Sequence, residues 1–117
     1  AQGYLYGEAS APAVVSRRLA CRHTAQQTRA ELLSMVKAGC RVVDVIVEHP
    51  LYGEIRGLLL LRTAADVEEF VRRYESQGAQ LLSSLTGGVH LHTLEAAMPA
   101  ALERAEKELK RLGILLT

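Results

Sequence analysis

The sequence has no tryptophan and a single phenylalanine, so any core must be packed from aliphatic side chains. It has only two cysteines, Cys21 and Cys40. A chain of 117 residues buries about two-thirds of its unfolded surface around one core and needs no covalent staple, so both read as buried thiols. Neither sign of charge dominates: 14 basic against 13 acidic side chains leave a net charge of +1. No block of like charge marks a nucleic-acid face or a membrane-binding arm, so this chain alone is not expected to hold DNA. The leucine run Leu58 to Leu61 is far too short to span a bilayer, and no basic-then-apolar signal segment opens the sequence. A cytoplasmic location without a membrane partner is expected.

What is present is a single apolar-rich domain. Residues 1–13 combine small residues, glycine and proline without apolar periodicity and read as a linker, leaving 14–117 as the domain. A strand is expected from about Ala13 to Arg22. A helix follows, because Thr24 and Gln27 form a capping box and Thr28, Leu32, Met35 and Val36 recur at helical spacing up to the stop at Gly39. Arg41 to His49 is rich in valine and alternates, placing Val43, Val45 and Val47 on one face with Asp44 and Glu48 on the other. His49-Pro50-Leu51-Tyr52-Gly53 turns the chain and Glu54 to Leu61 returns as the hairpin partner.

Thr63 caps a second helix, with Asp66 three residues on, that buries Val67, Phe70, Val71 and Tyr74 and ends at Gly78. Ala79 to Thr86 reads as a short strand and loop leading into the strand around Val89 to Glu95. Pro99 opens a third helix with the stripe Leu102, Ala105, Leu109 and Leu112, closed by Gly113. The order strand, helix, strand, strand, helix, strand, helix predicts an α+β two-layer sandwich, with an antiparallel or mixed four-stranded sheet covered on one side by helices.

The run Gly87-Gly88-Val89-His90-Leu91-His92 carries half of the chain's four histidines. Alternation on a strand sends His90 and His92 to the same side, with backbones about 6.5–7 Å apart. Two readings are open at this point: the imidazoles converge on one ion, or they are polar residues on the solvent face of an edge strand. His23, between the first strand and the first helix, is a candidate third ligand and Glu31 a fourth. Glu31 stands about 10 Å further along the helix axis, a gap that two extended side chains and two metal bonds can cover.

Three imidazoles and a carboxylate suit a divalent first-row ion such as nickel, zinc, iron or cobalt rather than calcium. His49 is either a further site residue or, as its place before Pro50 favours, a residue that closes the hairpin. Cys21 shares alternation with His23 in an extended segment and is a candidate soft ligand, but burial is the commoner fate of a free cysteine and it is left outside the site. No nucleophile elbow, paired-carboxylate motif or phosphate loop surrounds Ser83, Ser84 and Thr86, so an enzyme is not expected.

The runs Arg41 to Ile55 and Leu82 to Glu95, with Cys21-Arg22-His23-Thr24 and Glu31, resemble the three-histidine (3H) domain of nicotinate-responsive transcriptional repressors, from about Leu19 to Leu115. The resemblance implies an HPr-like sandwich and a divalent metal on His23, Glu31, His90 and His92. It also implies nicotinic acid as co-repressor and a homodimeric repressor of NAD-synthesis and nicotinate-uptake genes. DNA would then be read by a winged helix-turn-helix module, of which residues 1–13 would be a remnant. Motif and proximity nominate His49, Tyr52, Arg56, Ser84, Gly87 and Gly88 as ligand-pocket residues. The alternative from another class is an HPr-like histidine phosphocarrier using His23 at a helix N-terminus. Against it, no Arg-Pro follows His23, and His90 and His92 would have no role.

Overall fold

The computed structural model describes residues 14–77 and 82–116. Its elements are β1 (Val15–Arg22), α1 (Thr28–Lys37), β2 (Arg41–His49), β3 (Gly53–Leu61), α2 (Ala64–Gln77), β4 (Val89–Ala96) and α3 (Pro99–Arg111). The expected linker over 1–13, the helix stop at Gly78 and the start of the segment from Ala79 lie outside the described residues. The element order is the expected one, and the fold is α+β with helices on one face of the sheet.

Local chemistry sets the helix starts. Gln27 Oε1 accepts the Thr24 N–H at 3.1 Å, and a single 3-10 turn, Ala25–Gln27, precedes α1. Thr63 and Asp66 cap α2 reciprocally, each side chain accepting the other's backbone N–H at 3.1 Å. Pro99 stands at the start of α3, and Gly113, at φ +75°, ends its last turn. The tail then runs along the free edge of β1, where Arg22 N–H donates to the Ile114 carbonyl and Leu116 N–H to the Ala20 carbonyl, both at 2.8 Å.

The sheet order is β1-β4-β2-β3, and every pairing is antiparallel. β4 is therefore a central strand, and the edge-strand reading of His90 and His92 falls away. On its buried face His92 lies opposite Leu19 and Val45, and His90 opposite Cys21. The core around them is aliphatic: Leu32, Met35, Val42, Val67, Leu94, Leu102, Leu109 and Ile114 are all buried.

Two expectations are corrected. Leu82–Thr86 is a 3-10 turn, not the end of a strand and loop. The alternation of β2 is broken by a register shift between Val42 and Asp44, so Val42, rather than Val43, pairs with Leu94 in the core. The shift also leaves Asp44 buried, at 1 % exposure.

The turn into β4 depends on backbone contact. Gly88 has φ +93°, and a Cβ there would stand 2.5 Å from the carbonyl oxygen of His23; Gly87, at φ +65°, faces open space. Gly87→Ala is expected to cost about 1 kcal/mol through its left-handed backbone, and Gly88→Ala upwards of about 2 kcal/mol because the His23 carbonyl must also move. Urea denaturation of both variants checks this, and equal costs would show that the close approach constrains nothing.

Candidate metal centre

Four side chains from three segments meet beneath the sheet. His90 and His92 descend from alternate positions of β4, His23 turns in from the end of β1, and Glu31 comes from the core-facing side of α1. All four are buried, Glu31 at 1 % exposure. Glu31 shares its face with Thr28, Leu32 and Met35, the helical neighbours expected of a core position.

Each imidazole is fixed by a main-chain carbonyl. His23 Nδ1 lies 2.6 Å from the Thr24 carbonyl oxygen, His90 Nδ1 2.8 Å from that of Gly88, and His92 Nδ1 2.7 Å from that of Asp44. A carbonyl only accepts, so each Nδ1 carries the hydrogen and each neutral ring keeps its lone pair on Nε2. All three Nε2 atoms point at one carboxylate: His23 at 2.8 Å, His90 at 2.6 Å and His92 at 3.1 Å from Glu31 oxygens. His23 and His92 make no aligned hydrogen bond through Nε2 despite these distances. Neighbouring rings meet edge to face, with centroids 4.7 and 4.8 Å apart.

The electrostatics follow from burial and convergence. Burial opposes ionisation of Glu31, yet the three imidazoles converging on it, His92 foremost, outweigh burial and hold the carboxyl well below its ordinary range. Burial alone would lower His23 and His92, but Glu31 draws protons towards both and raises them. Lone pairs facing a carboxylate require a cation between or upon them, either protons or a metal ion. Imidazoles that donate Nδ1–H to a backbone carbonyl while presenting Nε2 are in the arrangement of metal-bound histidine. The donor set therefore fits a divalent first-row ion.

Cys21, left outside the site by sequence reasoning, belongs to its surroundings. Its Sγ, a Glu31 oxygen and a His90 nitrogen lie within 4.8 Å of one another. Burial, reinforced by the Glu31 charge, pushes its thiol pKa up. The available signal was its place two residues before His23 in one extended segment. Asp44 was also missed as a site residue: at the β2 irregularity its carbonyl faces His92 while its carboxylate accepts Thr93 N–H at 2.9 Å and Arg56 Nε–H at 2.6 Å.

The other nominated residues are dispersed. Arg56 is engaged with Asp44, and His49 Nδ1 accepts the Leu51 and Tyr52 N–H groups at the hairpin tip, with the Tyr52 ring 4.9 Å away. Ser84 is exposed on the 3-10 turn, whereas Ser83 is buried. Gly87 and Gly88 shape the entry to β4, and Gly88 supplies the carbonyl that fixes His90. None of these six lines the cavity of about 620 Å³ that adjoins the cluster. That cavity is walled by α1, β3, α2 and the Leu82–Thr86 turn, and Glu31, His90 and His92 are part of its lining. The phosphocarrier alternative gains no support, because both His23 nitrogens are buried against protein groups.

Among the described residues no helix is long and apolar enough to cross a membrane. A family model for the 3H domain matches residues 16–117. The "Probable transcription repressor NiaR" of Thermotoga maritima is 46% identical over 102 residues, which cover 87% of this chain and 58% of the relative. The "Transcription repressor NadR" of Bacillus subtilis is 38% identical over 117 residues, covering 98% of this chain and 65% of the relative. The chain thus spans roughly three-fifths of the length of these curated relatives, both of which are named as transcription repressors. With residues 16–117 matched, and with the strand, turn and helix that carry His23, Glu31, His90 and His92 inside that match, the chain belongs to the 3H domain family.

Proposed function

We propose that this is the ligand-sensing part of a cytoplasmic transcription repressor of NAD-synthesis and niacin-uptake genes. On this reading His23, Glu31, His90 and His92 hold a divalent metal ion, nicotinic acid is the effector, and the repressor is a homodimer that reads DNA through a separate winged-helix module. The observation that carries the metal is the convergence of three Nδ1-anchored imidazoles on one buried carboxylate. The nicotinic acid assignment rests on the family resemblance, and the cavity beside the cluster is of a size for a small aromatic ligand.

When bound, the metal would supply an electron-pair acceptor for the pyridine nitrogen or the carboxylate of the ligand. The chain's own residues do the rest. The three carbonyls of Thr24, Gly88 and Asp44 hold the rings in the one tautomer that presents Nε2. Glu31 supplies negative charge, and the aliphatic core around the cluster keeps water from competing with it. Binding can change DNA affinity only if the ligand prefers one arrangement of the dimer over the other.

Three measurements test the reading. His90→Ala is expected to lose stoichiometric metal, measured by elemental analysis of protein purified without an affinity column, while retaining its circular dichroism spectrum; one full equivalent in the variant would remove His90 from the shell. Titration calorimetry should show nicotinate binding to metal-loaded protein and its loss after chelation, and undiminished binding by metal-free protein would separate ligand from metal.

The third is pH dependence. Protons and metal compete for Nε2, and Glu31 raises the proton affinity of His23 and His92. Metal affinity should therefore reach its plateau only above these raised pKa values and fall as the pH drops through them, with protons released on binding at neutral pH. An affinity that stays flat between about pH 5.5 and 8 contradicts imidazole ligation.

A further inference from the structure

The cavity beside the cluster has a polarity that the metal site does not use. Five positions of α2, Asp66, Glu69, Phe70, Arg73 and Tyr74, follow the three-and-four spacing of a single helix face and line it. Two of the three charges on this stripe are already engaged. Asp66 accepts the Arg62 and Thr63 N–H groups at 2.9 and 3.1 Å, and Glu69 pairs with Arg72 at 2.8 Å. Among the described residues, Arg73, exposed at the rim of the cavity, is the only lysine or arginine of the lining, and no carboxylate pairs with its guanidinium.

Across the cavity stands Thr28, the first residue of α1. Its side-chain oxygen is buried without a hydrogen-bond partner, in a residue only 7 % exposed. A buried hydroxyl left unpaired is costly, and this one lines a space large enough to hold a ligand. Phe70, Tyr74 and Leu82 offer apolar surface in the same cavity. A guanidinium, a hydroxyl and an aromatic wall together match a small planar carboxylate.

We propose that Arg73 and Thr28 are the specificity-determining residues for a planar aromatic carboxylate in this cavity, the guanidinium binding the carboxylate and the Thr28 hydroxyl donating to it. The inference rests on the ligand-sensing reading above and deepens it by separating the roles of the two polar regions. The imidazole cluster holds the metal, and Arg73 with Thr28 distinguishes an acid from its amide. Arg56, nominated from motif, is instead occupied by Asp44.

Titration calorimetry on the metal-loaded protein, with nicotinate and nicotinamide as probes, tests it. Arg73→Gln should weaken nicotinate binding by about tenfold or more, the loss expected when a charged hydrogen bond is removed. It should leave the nicotinamide affinity and the metal content unchanged. Arg73→Lys should recover part of the loss. Thr28→Val, which keeps the shape of the side chain, should weaken nicotinate binding while leaving the melting temperature of the ligand-free protein unchanged or higher, because no hydrogen bond within the protein is removed. Nicotinate affinity that is equal in wild type, Arg73→Gln and Thr28→Val overturns the proposal and leaves the ligand reading standing. Failure of the wild-type protein to bind nicotinate at all overturns both.

Discussion

A carboxylate buried beneath the sheet is the constraint around which this domain is arranged. Glu31 sits among Leu32, Met35 and the central strand, where an isolated charge would be prohibitively costly. Its cost is offset by three imidazoles, and each imidazole is useful only while its ring is held in one orientation. The burden of orienting them passes to the backbone: the Thr24 carbonyl at the α1 cap, the Gly88 carbonyl before β4, and the Asp44 carbonyl at the irregularity of β2. Features that look like local ornaments are therefore coupled to one charge. The cap, the left-handed Gly88 and the register shift each aim a carbonyl at a histidine.

The same arrangement explains why the polar cluster does not loosen the fold around it. Buried polar networks rigidify a core only when their members are satisfied. Here Nδ1 of every ring is satisfied by backbone, and the unsatisfied positions, His23 and His92 Nε2, are confined to the side facing Glu31. Asp44 extends the network to the opposite face of the sheet, where its carboxylate ties Thr93 and Arg56 to the strand whose carbonyl orients His92. A positive ion at the cluster would meet the electrostatic demand that these lone pairs and the carboxylate leave open.

Much of this was legible from residue order. His90 and His92 announce a shared face by their spacing, and Thr24 and Gln27 announce a helix start; the structure has both. What could not be read was whatever depends on contact across elements. Alternation placed Val43 on one face with Val45 and Val47, but pairing with β4 inserts an irregularity there, and Val42 is the residue that meets Leu94 in the core. Cys21 reads as a thiol among aliphatic neighbours until the β1–β4 register sets it opposite His90. Thr28 counts as one more member of a helical stripe, and only packing reveals that its hydroxyl has nothing to bond. The cavity residues of α2 share the helix with a buried stripe, and nothing in the order of residues marks Arg73 as different from Arg72, whose partner Glu69 lies one turn away.

Charge links the two polar regions of the cavity. Its lining holds the carboxylates of Glu31, Asp66 and Glu69 against the single guanidinium of Arg73, so negative charge prevails wherever the histidines are neutral. An anionic ligand would enter against that field. A dication at Glu31 would reverse the balance close to the ligand, in a setting where burial weakens screening by salt. Metal and anion would then favour each other by equal amounts, because a coupling free energy acts in both directions. Since α2 forms one wall of the cavity and α1 with β4 carries three of the four proposed metal donors, an anion bound between them would bear on how α2 sits against the rest of the fold. Of the two helices that line the cavity, α1 carries Glu31 and α2 carries none of the four proposed donors, so on the proposed reading the position of α2 answers to the ligand rather than to the metal.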